Sequence, residues 1–337
     1  DGVAIARSTS SSYKMKQDVG TSKYCVVVSD ETTLITSSEI VIETVIPVIY
    51  VSTEGTSEND GLSWATTKSD VQEAIDLASS HNAYGMEVWV AKGTYKHGSA
   101  MTMKNGVAIY GGFAGTETSK DQRVAGNNTI LDGEGKYRVF YNNYTSSNKL
   151  TNSAKLDNVT IQNGYTSSSG AGMHNYYASP EITNCTFANN SASSGGGMYN
   201  NDSSSPVLTN CTFSGNSASY YGGGMINTSS SSPTLTNCIL WGNTASSSGN
   251  EIYNSGSDSK PTIDTCIIKG GESGIYNSSY GTYTNIITAD PKLMPLGNYG
   301  GSVQTCPVVS GSSAIGKGKK MSGVTTDARG MSRSSSR

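Results

Sequence analysis

The stretch from Ser179 to Asn254 holds three near copies of one sequence: SPEITNCTFANNSASSGGGMYN (179–200), SPVLTNCTFSGNSASYYGGGMIN (205–227) and SPTLTNCILWGNTASSSGNEIYN (232–254). Cys185, Cys211, Cys238 and then Cys266 follow one another at intervals of 26, 27 and 28 residues. Self-similarity at such a period marks a solenoid, in which a single repeat cannot bury its own apolar face and stacking supplies the core. Each copy carries short runs with in-out-in alternation, such as Cys211-Thr212-Phe213, bounded by Pro, Gly and Asn. Runs this short are strands.

Stacking the copies about 4.8 Å apart places Ile182, Leu208, Leu235 and Ile263 in one column and Phe187, Phe213, Leu240 and Ile268 in a second. The four cysteines form a third column, and Met173, Met198, Met225, Ile252 and Ile275 a fourth. Parallel crossovers are right-handed in nearly all cases, so the expected fold is an all-β, right-handed parallel β-helix. A leucine-rich horseshoe needs helical or 3-10 return segments, and returns such as NNSASSGGG are too rich in Gly and Ser to supply them.

Degenerate copies extend the array in both directions, through LDNVTIQNG and GAGMHN before it and KPTIDTCIIKG and SGIYN after it. Further upstream, Val71, Ala74, Ile75 and Ala78 share one helical face behind Ser69 as the expected N-cap. A short helix of this kind would close the open first turn, with the strands Val88 to Val90, Val107 to Tyr110 and Thr129 to Leu131 beginning the coil. Three parts are therefore expected: a small β segment over residues 1–46, the β-helix over 47–290, and an irregular C-terminal cap over 291–337. The first part, with β-hairpin patterns at Ser12 to Val28 and Glu39 to Val45, resembles the C-terminal half of a bacterial immunoglobulin-like module.

Asparagine is as regular as the apolar columns. Asn175, Asn200, Asn227, Asn254 and Asn277 follow the Met/Ile column, and Asn184, Asn210 and Asn237 precede the cysteines. Asn tolerates the left-handed backbone region and satisfies neighbouring polar groups, so stacked Asn at each bend predicts hydrogen-bonded ladders. The triple glycines 195–197 and 222–224 read as positive-φ corners, since they open no helix that could receive a phosphate. The cysteine column lacks any C-x-x-C pair and reads as small buried packing groups, with no metal and no cofactor expected. Cys25 and Cys306 have no evident partner.

Composition narrows the function. In 337 residues there are 39 glycines, 15% charged residues and a net charge of −3, with Lys317, Lys319 and Lys320 the only basic cluster. That provides no footprint for nucleic acid or acidic lipid, and no apolar run is long enough to insert in a membrane. Beginning at Asp1, the chain reads as a piece whose targeting and anchoring signals lie elsewhere.

The F-x-x-N pairs (Phe187 to Asn190, Phe213 to Asn216) with G-G-G-M resemble the repeats of polymorphic outer-membrane proteins. The wider chain, from YVSTEG through GTY and YGGFAGTE to DPKL, SAIGKG and TTDARG, resembles the surface β-helix proteins of Bacteroidetes, of pectin-lyase-like fold with a C-terminal anchoring region. The resemblance covers residues 48–333. It implies an extracellular or surface-attached protein, an adhesin without agreed catalytic residues.

Two groups of side chains are candidates for function. His174, Tyr199, Ile226, Tyr253 and Tyr276 share one outward column, with Tyr176, Tyr177, Tyr220 and Tyr221 expected in nearby loops. Such a stripe suits sugar rings or a host protein surface, although stacked tyrosines also stiffen a sheet. The second group is the polar cluster His97, Asp132, Glu134, Lys136 and Arg138, where a polysaccharide lyase or glycoside hydrolase would find its acid and base. The residues favour a non-enzymatic binder of polysaccharide or protein, the alternatives being that enzyme or a passive stalk.

Overall fold

The computed structural model describes residues 48–319, except 82–84, 125, 298 and 300–305, together with the backbone of four short strands before them. The chain divides into two compact units, Asp1–Pro47 and Val48–Arg337. In the first, Gly20–Tyr24 pairs antiparallel with Ile40–Thr44 and Val27–Ser29 with Leu34–Thr36. Residues 1–19, Cys25 and the segment after Lys319 lie outside the described residues, so the hairpin pattern from Ser12 is described only in part.

The second unit is a right-handed parallel β-helix. Its three long sheets run the length of the coil with nine, seven and six strands, and every pairing in them is parallel. The first strand of the coil, Val48–Val51, precedes the strand expected at Val88 and pairs in register with Met86–Ala91. The predicted columns then follow one another turn by turn: Ile182, Leu208, Leu235 and Ile263 on the nine-stranded face, Phe187, Phe213, Leu240 and Ile268 on the seven-stranded face, and Met173 to Ile275 on the six-stranded face. All are buried, and Phe187 and Phe213 stack with ring centroids 4.5 Å apart. Cys185, Cys211, Cys238 and Cys266 are buried free thiols, each directed at the carbonyl two residues back. Burial pushes the Cys185 thiol far above its usual range, as suits a packing group rather than a nucleophile.

A short fourth sheet was not expected. Ser191–Ser194, Ser217–Tyr221 and Thr244–Ala245 pair in parallel through the return segments, because Ala192 and Ala218 turn inward and leave the hydroxyls outside.

The helix α1, Val71–Ser80, buries the four predicted residues. Its N-cap is Asp70 rather than Ser69: the Asp70 carboxylate accepts the Glu73 N–H at 2.9 Å, placing a full negative charge on the positive end of the helix.

Polar groups inside the coil are satisfied lengthwise. Asn142, Asn175, Asn200, Asn227 and Asn254 are fully buried, and each amide donates to the next at 2.9 Å. The ladder starts at the Met103 N–H and ends on the Tyr283 hydroxyl. Asn277 is not a rung: its backbone turns left-handed (φ 58°) and its amide donates to the Asn254 carbonyl. Before the cysteines, Asn184 and Asn210 are left-handed and bonded to each other, whereas Asn237 exchanges two hydrogen bonds with the backbone of Lys319.

The glycine triplets work in two ways. Only the first of each, Gly195 and Gly222, has positive φ (64° in both). The other two lie against the next turn, where a Cβ on Gly196 would stand 2.3 Å from the Ser217 carbonyl oxygen.

Candidate functional site

The six-stranded sheet sets the outward column in register from Tyr141 through His174, Tyr199, Ile226 and Tyr253 to Tyr276. It is not one uniform stripe. In its first half Arg138 lies over Tyr141, Tyr141 meets His174 edge-on at 5.1 Å, and His174 stacks on Tyr199 at 4.9 Å. His174 is half-buried, its Nδ1 lies 3.0 Å from the Ser169 carbonyl, and burial together with Arg138 pushes its pKa below the ordinary value. A neutral imidazole packed between rings is a spacer. Ile226 is buried and interrupts the column.

The second half is open. Tyr253 stacks on Tyr276 at 4.6 Å and meets Tyr221 at 4.7 Å. Tyr220 and Tyr221 stand at the end of the strand Ser217–Tyr221 rather than in a loop, and Tyr176 likewise belongs to a strand, Met173–Tyr176. Tyr220 is 57% exposed and Tyr276 43%. Aromatic faces contribute without needing exact partners, and each stacked pair stabilises by about 0.5–1.5 kcal/mol beyond its area.

This platform borders a groove of 450 Å³ whose lining includes Ser248, Asn250, Glu251, Lys269 and Tyr276. The groove exists because the last turn is short. From Ile252 to its partner Ile275 the chain spends 23 residues, and the 3-10 turn Gly271–Gly274 replaces the strand that would have covered the site. The space allows Glu251 at the position held by Gly197 and Gly224 in earlier copies.

Glu251 also ends a ladder that the sequence reading did not foresee. The asparagine of each F-x-x-N is buried, and Asn190 donates to Asn216, Asn216 to Asn243 and Asn243 to Glu251. The next copy has Gly271 where another Asn would stand, so the carboxylate takes the last donor and the Gly242 N–H. Burial outweighs these two donors and raises the Glu251 pKa to about 7. The repeated Asn after Phe was the available signal.

The N-terminal polar group is divided by the fold. Asp132 accepts bonds from the Glu134 N–H, Gln162 and Asn163, and Glu134 pairs with Lys96 at 3.2 Å. His97 is buried nearby, its Nε2 without a hydrogen-bond partner, and burial lowers its pKa against the pull of Asp70, Asp132 and Glu134. Arg138 belongs instead to the Tyr141 stack, with its Nε on the Ser169 carbonyl. Asp132 and Glu134 line a groove of 490 Å³ together with Lys96, Asn163, Tyr165 and Asn189. Among the described residues no three His, Cys, Asp or Glu side chains are placed to share a metal ion.

A further cluster escaped the sequence reading. On the outside of the nine-stranded sheet, Trp89 stacks on Phe113 at 4.6 Å, Tyr50 meets Trp89 and Trp64 edge-on, and Trp64 lies tilted against Phe113. The segment after Phe113 folds over this group. Glu117 accepts three successive backbone N–H groups, Lys120 pairs with Glu87 at 2.6 Å beneath Tyr110, and Arg123 pairs with Asp157 at 2.9 Å. The charges of Glu117, Lys120, Arg123, Glu87 and Asp157 each meet a partner, as a sealed structural unit requires.

Comparison with known proteins places this architecture. A match to the family described as rhamnogalacturonase A/epimerase, pectate lyase-like, runs over residues 58–276. Among solved structures, a pectin methylesterase from Aspergillus niger aligns at 14% identity over 73% of this chain and 86% of its own, with a TM-score of 0.30. The pectate lyase Pel9A aligns at 12% identity over 85% of this chain and 96% of its own, with a TM-score of 0.31. No curated protein matches the sequence. With nearly two thirds of its length matched, this chain belongs to the rhamnogalacturonase A/epimerase, pectate lyase-like family.

Proposed function

We propose that the protein is a non-enzymatic, extracellular or surface-borne β-helix that binds polysaccharide through the open tyrosine platform at the end of the coil. The observation that carries this reading is the stack of Tyr221, Tyr253 and Tyr276, exposed on one side and bordering the groove of Asn250 and Lys269. Rings of this kind present large apolar faces to the C–H side of a sugar while flanking amides and hydroxyls take its hydroxyl groups. The surface adhesin suggested by the repeat motifs fits the same reading, and a family of carbohydrate-related fold supports it.

Carboxylates with a general acid–base task need a free proton path to substrate. Asp132 is instead tied by three donors, Glu134 by Lys96, and Glu251 by two donors. The test is affinity electrophoresis through gels containing neutral or acidic polysaccharides. Wild type should be retarded, and a Tyr253→Ser/Tyr276→Ser variant should run as in a blank gel while melting within a few degrees of wild type. Equal retardation of the two would remove the platform from the account.

A further inference from the structure

The groove around Tyr165 shares Ser191 with a shallower groove of Ser217, Thr244 and Ser246, which runs over the short return sheet towards Ser248 at the edge of the platform groove. Tyr165 is 47% exposed and pairs by a parallel bridge with Ser191. From there the column continues through Ser217 to Thr244, and the strand segment of Thr244 leads to Ser248 at the lip of the platform groove. Tyr165 is thus three turns, about 14 Å along the axis, from Tyr253 and four turns, about 19 Å, from Tyr276.

The groove's chemistry is that of a hydroxylated, uncharged ligand. One aromatic face, Tyr165, stands beside a carboxylate, Glu134, and two amides, Asn163 and Asn189. Glu134 is set in place by its left-handed backbone (φ 55°) and by its N–H on Asp132, and Asn163 by its bond to the same Asp132. Lys96 is the single cation in the lining and is already paired with Glu134, so Asp132 leaves the groove with a surplus of negative charge. A polyuronate would bring more negative charge to this surface without an unpaired cation to meet it.

We infer that this groove is a second glycan subsite, selective for neutral sugars, and that one extended neutral polysaccharide lies along the coil from Tyr165 to Tyr276. This rests on the platform reading above. The strand spacing is close to the rise of one hexose in an extended glycan, so the hydroxyls of Ser191, Ser217 and Thr244 meet successive sugar units. Occupying two subsites on one rigid rod makes the second contact intramolecular, and a polymer long enough to span both should bind far more tightly than a short oligomer.

The experiment is affinity electrophoresis with the full chain in gels of galactan, mixed-linkage β-glucan or polygalacturonate. Four proteins are compared: wild type, Tyr165→Ser, Glu134→Ala and Tyr253→Ser/Tyr276→Ser, each first checked to be folded and to melt within a few degrees of wild type. The expected result is retardation of wild type by a neutral glycan, with apparent affinity falling about tenfold in Tyr165→Ser and Glu134→Ala, a loss of one modest contact. Unchanged migration of both single-site variants, with loss only in the double variant, would overturn the second subsite and leave the platform standing. Loss in the single-site variants with an unaffected double variant would support the subsite and overturn the platform. Retardation by polygalacturonate as strong as by the neutral glycans would overturn the assignment to neutral sugars.

Discussion

Two groups of aromatic side chains stand outside the same coil, and they have been finished differently. Around Trp89 the rings of Tyr50, Trp64 and Phe113 are roofed by a segment whose Glu117, Lys120 and Arg123 are all paired. At the other end Tyr221, Tyr253 and Tyr276 stack on one another with no roof, because the turn that would have carried one is short. An aromatic cluster closed by paired charges is a secondary core that fixes the sheet. One left open beside a groove is what the proposed binding surface requires.

That contrast can be broken at several points. Trp89→Ala should act on stability alone, lowering it by about 3–5 kcal/mol as a large buried ring is lost, read by chemical denaturation, with glycan capture by the folded fraction unchanged. Asn200→Ala takes the acceptor from the Asn175 amide N–H and the donor from the Asn227 amide oxygen inside the coil, and should lower stability by about 2–4 kcal/mol. Asn277→Ala, outside the ladder, loses one bond to the Asn254 carbonyl and the side chain that suits its left-handed backbone, and should lower stability by about 1–2 kcal/mol. A similar loss in both variants would mean that the ladder adds nothing beyond ordinary packing.

Glu251 gives a pH signature. Its folded pKa, raised to about 7, lies above the ordinary 4.5, so the folded protein keeps a proton that the unfolded chain releases. The contribution is fully present below about pH 4.5 and is lost as pH rises through 7, amounting to at most about 3 kcal/mol. Glu251→Gln keeps an acceptor for Asn243 and should flatten this part of a stability-versus-pH profile. A profile unchanged by the substitution would show that Glu251 is ionised in the folded state. Tyr253→Ser should lower stability by about 1 kcal/mol, the scale of one stacked pair, and weaken glycan capture by far more than that change in stability.

Legibility in the sequence followed how far each feature depends on a single repeat. The apolar columns and the Asn175 to Asn254 ladder recur at one position in every copy, so alignment of the copies placed them. The F-x-x-N asparagines recur just as regularly, but their role depends on which backbone carbonyls of the previous turn they face, which no copy reveals alone. Glu251 departs from the repeat, and its burial depends on the shortened turn after it. The cluster around Trp89 draws Tyr50, Trp64 and Phe113 from segments far apart in the chain, with only the sheet to bring them together. Asn277 was misread because it keeps the spacing of the ladder while its backbone has already left the strand. Asp132, Glu134, Lys136 and Arg138 look like one group because they are close in sequence, but the turn after Asp132 carries Arg138 on to Tyr141 of the six-stranded sheet.

The most direct test of binding without cutting is to incubate the protein with neutral and acidic polysaccharides and follow polymer length by size-exclusion chromatography with light scattering. The protein is expected to co-elute with a neutral polymer of undiminished length. Shortened chains would contradict it and move attention to Asp132, Glu134 and Glu251 as working carboxylates.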